Sequence, residues 1–77
     1  MARVRYFAAA EEFAGRSEEH RTEATLGELR SALTSAYPAL GGILARCAVL
    51  VDGRRTDDDT PLADATLVDL LPPFAGG

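Results

Sequence analysis

The strongest constraint on the fold is a hairpin signal in the second half of the chain. Residues 47–51 form a short, continuous apolar run, which is followed by Asp52 and Gly53 and then by the polar residues 54–56. An Asp-Gly pair supplies the positive φ angles that a two-residue hairpin turn needs. The sequence therefore predicts two antiparallel strands, of which the first is buried.

The main helix is predicted from an N-terminal capping box. Thr25 and Glu28 have the spacing at which the threonine hydroxyl accepts a hydrogen bond from the Glu28 amide and the glutamate carboxylate reaches back. Apolar side chains then recur every three or four residues, until Pro38 prevents easy continuation. These side chains are Leu26, Leu29, Leu33, Ala36 and Tyr37. The pattern predicts one amphipathic helix.

The first quarter of the chain predicts a strand and a short helix. Residues 3–7 mix β-branched and aromatic positions with arginines, which suits a strand with one covered face. Residues 8–14 are rich in helix formers and are closed by Gly15, the residue expected just past a helix end. Residues 18–24 are almost wholly polar, so a strand there is expected at a sheet edge, in contact with water.

The remaining segments complete the pattern of an α+β domain. Residues 39–46 predict a loop or a short turn of helix that places apolar side chains on the core. Residues 66–71 return to strand-forming side chains, and Pro72 and Pro73 then stop further ladder pairing. The order predicts a helix packed across a mixed sheet, which the β-grasp fold provides. We expect one domain over residues 1–77 with a flexible tail, 72–77.

Composition narrows the range of functions. Acidic side chains outnumber basic ones, 12 to 8, which argues against binding to phosphate backbones. The single cysteine, Cys47, has no partner for an internal disulfide, and no Cys/His spacing indicates a metal site. No apolar stretch is long enough for a signal peptide or a membrane span. We therefore expect a cytoplasmic protein that has no nucleic-acid or membrane partner and binds no cofactor itself.

The tail carries the predicted chemistry. Gly76 and Gly77 lack Cβ atoms, so their backbone is thin enough to enter a narrow channel on a partner, and the preceding prolines stiffen the approach. The Gly77 carboxylate is a poor acyl donor until an ATP-using partner adenylates it. Attack by a sulfur donor would then leave a C-terminal thiocarboxylate. A frayed end without a role is the alternative, but the tail directly follows a strand and no other segment offers competing chemistry.

Other polar and reactive residues have simpler interpretations. Cys47 begins an apolar strand, where a cysteine usually behaves as a small hydrophobic residue. His20 is flanked by charged residues and is interpreted as a surface histidine. Residues 57–59 are three consecutive aspartates without the spacing or the closing glutamate of a calcium loop, so a solvated turn is expected. Phe74 is either an anchor on a partner or an aromatic folded back on its own sheet.

Over nearly its whole length, the sequence resembles the MoaD/ThiS family of ubiquitin-like sulfur carriers, in particular the small subunits of molybdopterin synthase. The residues that carry the resemblance are 4–8, 12–15, Thr25 and Leu26, Leu29 and Leu33, 49–53, and 70–77. The two prolines before the terminal glycines favour the molybdopterin branch over the thiamine branch.

The resemblance implies a β-grasp fold and a tail that becomes a thiocarboxylate on an adenylating enzyme related to ubiquitin-activating enzymes. It also implies that the tail enters the large synthase subunit, where its sulfur builds the dithiolene of molybdopterin. By position, Gly77 would hold the sulfur and Gly76 would give access. The implied partner contacts are Pro72, Pro73, Phe74 and Ala75. The chain itself would act as a co-substrate and not as an enzyme.

Two departures from the family pattern leave the recipient pathway open. Relatives often have Arg-Glu where this chain has Glu11 and Glu12, and Gly-Asp where it has Ala65 and Thr66. Sulfur delivery to thiamine or cysteine biosynthesis is one alternative. A ubiquitin-like binding module that recruits a protein through its sheet, and never forms a thiocarboxylate, is another.

Overall fold

The computed structural model describes residues 1–73 of the chain. Within them, strands and helices alternate along the first half, and a hairpin and a last strand complete the second. The elements are β1 (Ala2–Tyr6), α1 (Ala9–Ala14), β2 (Glu18–Arg21), α2 (Leu26–Ala36), α3 (Pro38–Leu44), β3 (Ala48–Val51), β4 (Arg54–Arg55) and β5 (Leu67–Leu71).

The five strands form one mixed sheet in the order β2-β1-β5-β3-β4. The pair β1 and β5 is parallel, while β1 with β2, β3 with β4, and β3 with β5 are antiparallel. The predicted α+β class and β-grasp architecture are therefore confirmed. The polar strand β2 lies at the sheet edge, as predicted, although it ends at Arg21.

The core lies between the sheet and the helices. Along β1, residues Ala2, Val4 and Tyr6 are buried, and the β5 partners of Val4 and Tyr6, Val68 and Leu70, are buried as well. The helices contribute Ala10, Ala14, Leu26, Leu29, Leu33, Leu40 and Leu44 to the same core. The three leucines of α2 thus occupy the apolar face that their spacing predicted.

The end of α2 differs in detail from the prediction. Ala36 is exposed as the last residue of the helix, whereas Tyr37 at the cap packs on the core. At the start of α2, Thr25 Oγ1 accepts a hydrogen bond from the Glu28 amide over 3.2 Å. Glu28 Oε1 accepts one from the Ala24 amide over 3.3 Å, one residue before the cap. The capping box therefore forms in a slightly displaced version.

The turns and the third helix follow from local chemistry. Gly15 ends α1 with φ 76°, and the β3–β4 turn has Asp52 at φ 50° and Gly53 at φ 84°. These positive φ angles favour glycine and tolerate aspartate. Pro38 starts α3, the position at which its missing N–H costs nothing. Of the two forms predicted for residues 39–46, the helical one is therefore correct.

Candidate functional site

The predicted site follows β5 in the sequence, so the support of that strand determines where the predicted tail begins. β5 lies at the centre of the sheet, with β1 on one side and β3 on the other. Beside its end, the Phe7 amide donates a hydrogen bond to the Leu70 carbonyl over 3.2 Å, and Leu71 pairs with Ala48. Neighbouring strands therefore hold the end of β5 on both sides.

Two of the predicted tail residues are described. Pro72 is half-buried and Pro73 is exposed, and β5 ends at Leu71 immediately before them. Because proline has no backbone N–H, it cannot extend the ladder, and the predicted stop is confirmed. The other predicted site residues lie outside the described residues: Phe74, Ala75, Gly76 and Gly77. Their roles stay predictions.

The open face of the sheet, opposite the helices, has an apolar end next to the tail. Continuing the β1–β5 register by one residue places Phe7 beside Leu71, which pairs with Ala48 on its other side. We call Phe7, Leu71 and Ala48 the apolar row. Phe7 is 37% exposed, although it is a large aromatic residue. Leu71 directly precedes Pro72, so the row lies beside the start of the predicted tail.

An ion pair borders the apolar row. Arg5 donates hydrogen bonds to Asp69 from Nε to Oδ1 over 2.7 Å and from Nη2 to Oδ2 over 2.9 Å. The Arg5 guanidinium also lies over the Phe7 ring, with its Cζ 5.4 Å from the ring centroid. The hydrogen bond with Asp69 is the main cause that raises the pKa of Arg5.

Sequence reasoning assigned no role to Phe7, Arg5 or Asp69. One signal was available, because the alternation in residues 3–7 places Arg3, Arg5 and Phe7 on one face of a strand. That Asp69 meets Arg5, 64 residues away, depends on the register between β1 and β5. No local pattern specifies that register.

A second polar cluster lies on the helix side of the sheet and joins three elements. Glu19 accepts hydrogen bonds from the Tyr6 hydroxyl over 2.5 Å and the Tyr37 hydroxyl over 2.8 Å. Burial works to raise the pKa of the Glu19 carboxyl. The two tyrosine hydrogen bonds and the charges of Arg21 and Arg16 outweigh burial and hold this pKa below its usual value. The cluster stabilises the edge strand β2 against the core.

The other residues considered in the sequence have the predicted surroundings, except that β3 begins at Ala48 and Cys47 lies just before it. Cys47 is half-buried against the core, and burial raises the pKa of its thiol, so little of it is thiolate at neutral pH. His20 is exposed. Asp57 Oδ1 accepts a hydrogen bond from the Asp59 amide over 3.1 Å, and Asp58 pairs with Arg30 at 2.8 Å. Asp57 therefore stabilises the turn from within, and Asp58 joins the turn to α2.

Two further properties concern residues 1–73 alone. No group of three or more His, Cys, Asp or Glu side chains in this part of the chain is arranged to hold a metal ion. None of its helices has the length and apolar character needed to cross a membrane.

The fold defines a class: the protein is a ubiquitin-like domain with a β-grasp fold whose central strand is followed directly by Pro72 and Pro73. A comparison with family profiles matches residues 4–77 to the ThiS family. The chain belongs to the ThiS family, and its fold is that of the MoaD/ThiS ubiquitin-like sulfur carriers. Among curated proteins, no match was found.

Solved structures of similar proteins share the fold over nearly the whole chain. One is from the complex of subunits 1 and 2 of molybdopterin-converting factor from Helicobacter pylori, with 30% identity, a TM-score of 0.76, and coverage of 99% of this chain and 97% of that one. Small archaeal modifier protein 1 from Haloferax volcanii has 25% identity, a TM-score of 0.76, and coverage of 95% and 97%. Its namesake from Methanosarcina acetivorans, at 24% identity, has a TM-score of 0.86 and coverage of 99% and 95%, and supports the fold alone.

Proposed function

We propose that this chain is a sulfur carrier that ends at Gly77 and carries sulfur there as a thiocarboxylate. The observation that carries the proposal is the path of the chain: the central strand of a ubiquitin-like fold runs directly into Pro72, Pro73 and the glycine-tipped tail. Membership of the ThiS family supports it. The chain is then a co-substrate, working in the cytoplasm, and not an enzyme.

The chemistry proceeds in two displacements on an adenylating partner related to ubiquitin-activating enzymes. A carboxylate oxygen of Gly77 attacks the α-phosphorus of ATP, and pyrophosphate leaves. A sulfur donor at the oxidation level of hydrosulfide then attacks the acyl carbon, and AMP leaves with the bonding electron pair. The product is a thiocarboxylate, and the ATP is bound by the partner and not by this chain.

The tail residues have different roles in docking to the partner. Gly76 and Gly77 present no side chain to the walls of a partner channel, so the acyl carbon can reach a buried active site. Pro72 and Pro73 restrict the approach, so that less conformational entropy is lost when the tail docks. Phe74 and Ala75 are assigned as contacts to the partner.

For the recipient, we propose the large subunit of molybdopterin synthase. Support comes from the similar structure from Helicobacter pylori. In that structure, subunits 1 and 2 of molybdopterin-converting factor form a complex. The paired prolines before the glycines support the same choice. Delivery of sulfur to thiamine or cysteine biosynthesis is the alternative for the same chemistry.

Intact-mass measurement tests the carrier function. After co-expression with the adenylating enzyme of the same organism, the chain should gain the mass difference of one sulfur replacing one oxygen. A variant that lacks Gly77, and one extended beyond it, should fold normally and show no gain. Asp59→Asn, a change at an exposed side chain in the 57–61 turn, serves as the control and should gain sulfur like the wild type.

The same variants separate the carrier from a ubiquitin-like binding module. A module that recruits a protein through its sheet should tolerate the loss of Gly77, whereas a carrier should lose all sulfur transfer. If the mass of the wild type never changes and the extended variant functions as well as the wild type in cells, the carrier proposal fails. Co-purification of the thiocarboxylated chain with a large synthase subunit, or with another synthase, identifies the recipient.

A further inference from the structure

The Arg5–Asp69 pair is built differently from the other ion pairs on the same sheet face. Asp69 lies on the central strand and is buried to 9% exposure, and both of its oxygens accept hydrogen bonds from Arg5. The neighbouring Arg3–Glu18 pair joins two half-exposed side chains at 3.2 Å. A two-point bond to a fixed carboxylate restricts the plane of the guanidinium, which a single-point contact does not.

The restricted guanidinium lies against the partly exposed ring of Phe7. Phe7 is the residue after β1 and one of the three large hydrophobic side chains that are exposed in residues 1–73. An exposed aromatic side chain at the end of a strand has several rotamers open to it. The guanidinium, with Cζ 5.4 Å from the ring centroid, covers one ring face and favours one rotamer.

We propose that Arg5 and Asp69 are positioning residues that hold the Phe7 ring on the open sheet face, so that the apolar row is preformed for the adenylating enzyme that receives the tail. The inference rests on the proposed function, because it assumes that an adenylating enzyme binds the tail that begins at Pro72. A preformed row lowers the entropy lost on docking. It therefore affects affinity for the partner and leaves the chemistry at Gly77 unchanged.

The position of the ring is tested on the free chain by NMR. Arg5 side-chain protons next to an aromatic face are shifted upfield by the ring current, and Phe7→Leu, which removes the ring, gives the unshifted reference. In Asp69→Asn, which weakens the two-point bond with little change of shape, the upfield shift should be largely lost while the amide spectrum stays that of a folded protein. An unchanged shift in Asp69→Asn overturns the proposal.

The docking role is tested by ATP–pyrophosphate exchange with the adenylating enzyme of the same organism. Asp69→Asn should raise the KM for the chain by about two- to fivefold and leave kcat unchanged. In the Phe7→Leu background, Asp69→Asn should add no further rise, because the residue it positions is absent. Asp59→Asn makes the same chemical change at an exposed aspartate in the 57–61 turn and should leave KM unchanged.

The double-mutant cycle distinguishes positioning from a general loss of stability. If the effects of Asp69→Asn and Phe7→Leu on KM simply multiply, or if Asp69→Asn lowers kcat instead, Asp69 does not act through Phe7. If the wild-type chain gives no ATP–pyrophosphate exchange with the adenylating enzyme, both the proposed function and the docking role are wrong. The ring-current measurement then still decides whether the pair holds the ring.

Discussion

At the scale of single residues, Glu19 is the polar side chain with the most partners in the described part of the chain. It joins β2 to Tyr6 of β1 and to Tyr37 after α2, and two arginines approach it at 3.6 Å. The rings of Tyr6 and Tyr37 meet edge to face, with centroids 6.2 Å apart. A carboxylate that accepts two hydroxyl bonds stabilises the fold only while it is ionised.

Glu19→Gln is therefore expected to lower the free energy of unfolding at pH 7 by about 2 kcal/mol, since hydrogen bonds to a charged group are replaced by weaker neutral ones. The folded-state pKa of Glu19 lies below its unfolded value. Its contribution is thus complete above the unfolded pKa of about 4.3 and is lost as the pH falls through the folded pKa.

Urea unfolding at several pH values measures this difference. The difference in the free energy of unfolding between wild type and Glu19→Gln should be largest at neutral pH and should disappear under strongly acidic conditions. Glu18→Gln is the matched control, because its exposed pair with Arg3 contributes little. Equal losses for the two variants, or a gap that does not change with pH, would contradict the assignment.

Ala65 occupies a backbone conformation that suits glycine. Its φ is +67°, in the left-handed region that Cβ makes unfavourable. Ala65→Gly is expected to raise the free energy of unfolding by about 0.5 to 1 kcal/mol, the relief of strain less the entropy cost of glycine. Ala63→Gly, two residues earlier and without a positive φ, should lower it. Urea unfolding measures both, and the same sign for both variants would show that φ is not the cause.

At the scale of elements, adjacent glycines of α3 have different environments. A Cβ at Gly41 would lie 2.7 Å from Thr34 Cγ2 and 3.2 Å from Thr34 Cα, both on α2, whereas a Cβ at Gly42 would meet nothing within 4 Å. The absence of a side chain at Gly41 therefore lets α3 pack closely on α2. At Gly42 the glycine has no such packing role.

The two positions should respond to alanine with opposite signs. Gly41→Ala is expected to lower the free energy of unfolding by about 1 to 3 kcal/mol, because the backbone of α2 must shift. Gly42→Ala is expected to raise it by up to about 1 kcal/mol, since alanine is the better helix former. Thermal unfolding of the pair gives the comparison, and stabilisation by Gly41→Ala would mean that the contact with Thr34 relaxes easily.

At the scale of the whole molecule, the last strand completes the sheet. β5 lies between β1 and β3, so the sheet cannot close until residues from the two ends of the domain meet. Leu70 of β5 is 1% exposed and lies in the core opposite the helices. A small domain has a stability of about 5 to 15 kcal/mol, so one buried leucine is a large share of it.

Leu70→Ala is expected to lower the free energy of unfolding by about 2 to 5 kcal/mol. Far-UV circular dichroism and tyrosine fluorescence should report one common transition, because Tyr6 and Tyr37 both pack on the same core. Leu50→Ala, at a half-buried position on the open face, should lower the free energy of unfolding clearly less than Leu70→Ala does. Separate transitions for the two probes would show that the helices and the sheet unfold independently.

Most of the elements could be predicted because their signals are local. The capping box at Thr25, the Asp52–Gly53 turn and Gly15 at the end of α1 each act within a few residues, and the structure confirms all three. Residues 39–46 gave a weaker signal, because two glycines oppose helix formation there. Packing of Leu40 and Leu44 on the core, and of Gly41 on Thr34, made that segment helical.

The sequence by itself determined the kinds of elements, their order and the tail that carries the proposed chemistry, since backbone conformation and glycine or proline content are properties of neighbouring residues. Only the tertiary structure decided that β5 enters between β1 and β3, and therefore that Asp69 lies beside Arg5 and Leu71 beside Phe7. Strand register depends on burial summed over the whole sheet. A local pattern contains no information about that sum, so the apolar row and the Arg5–Asp69 pair could be identified only in the folded chain.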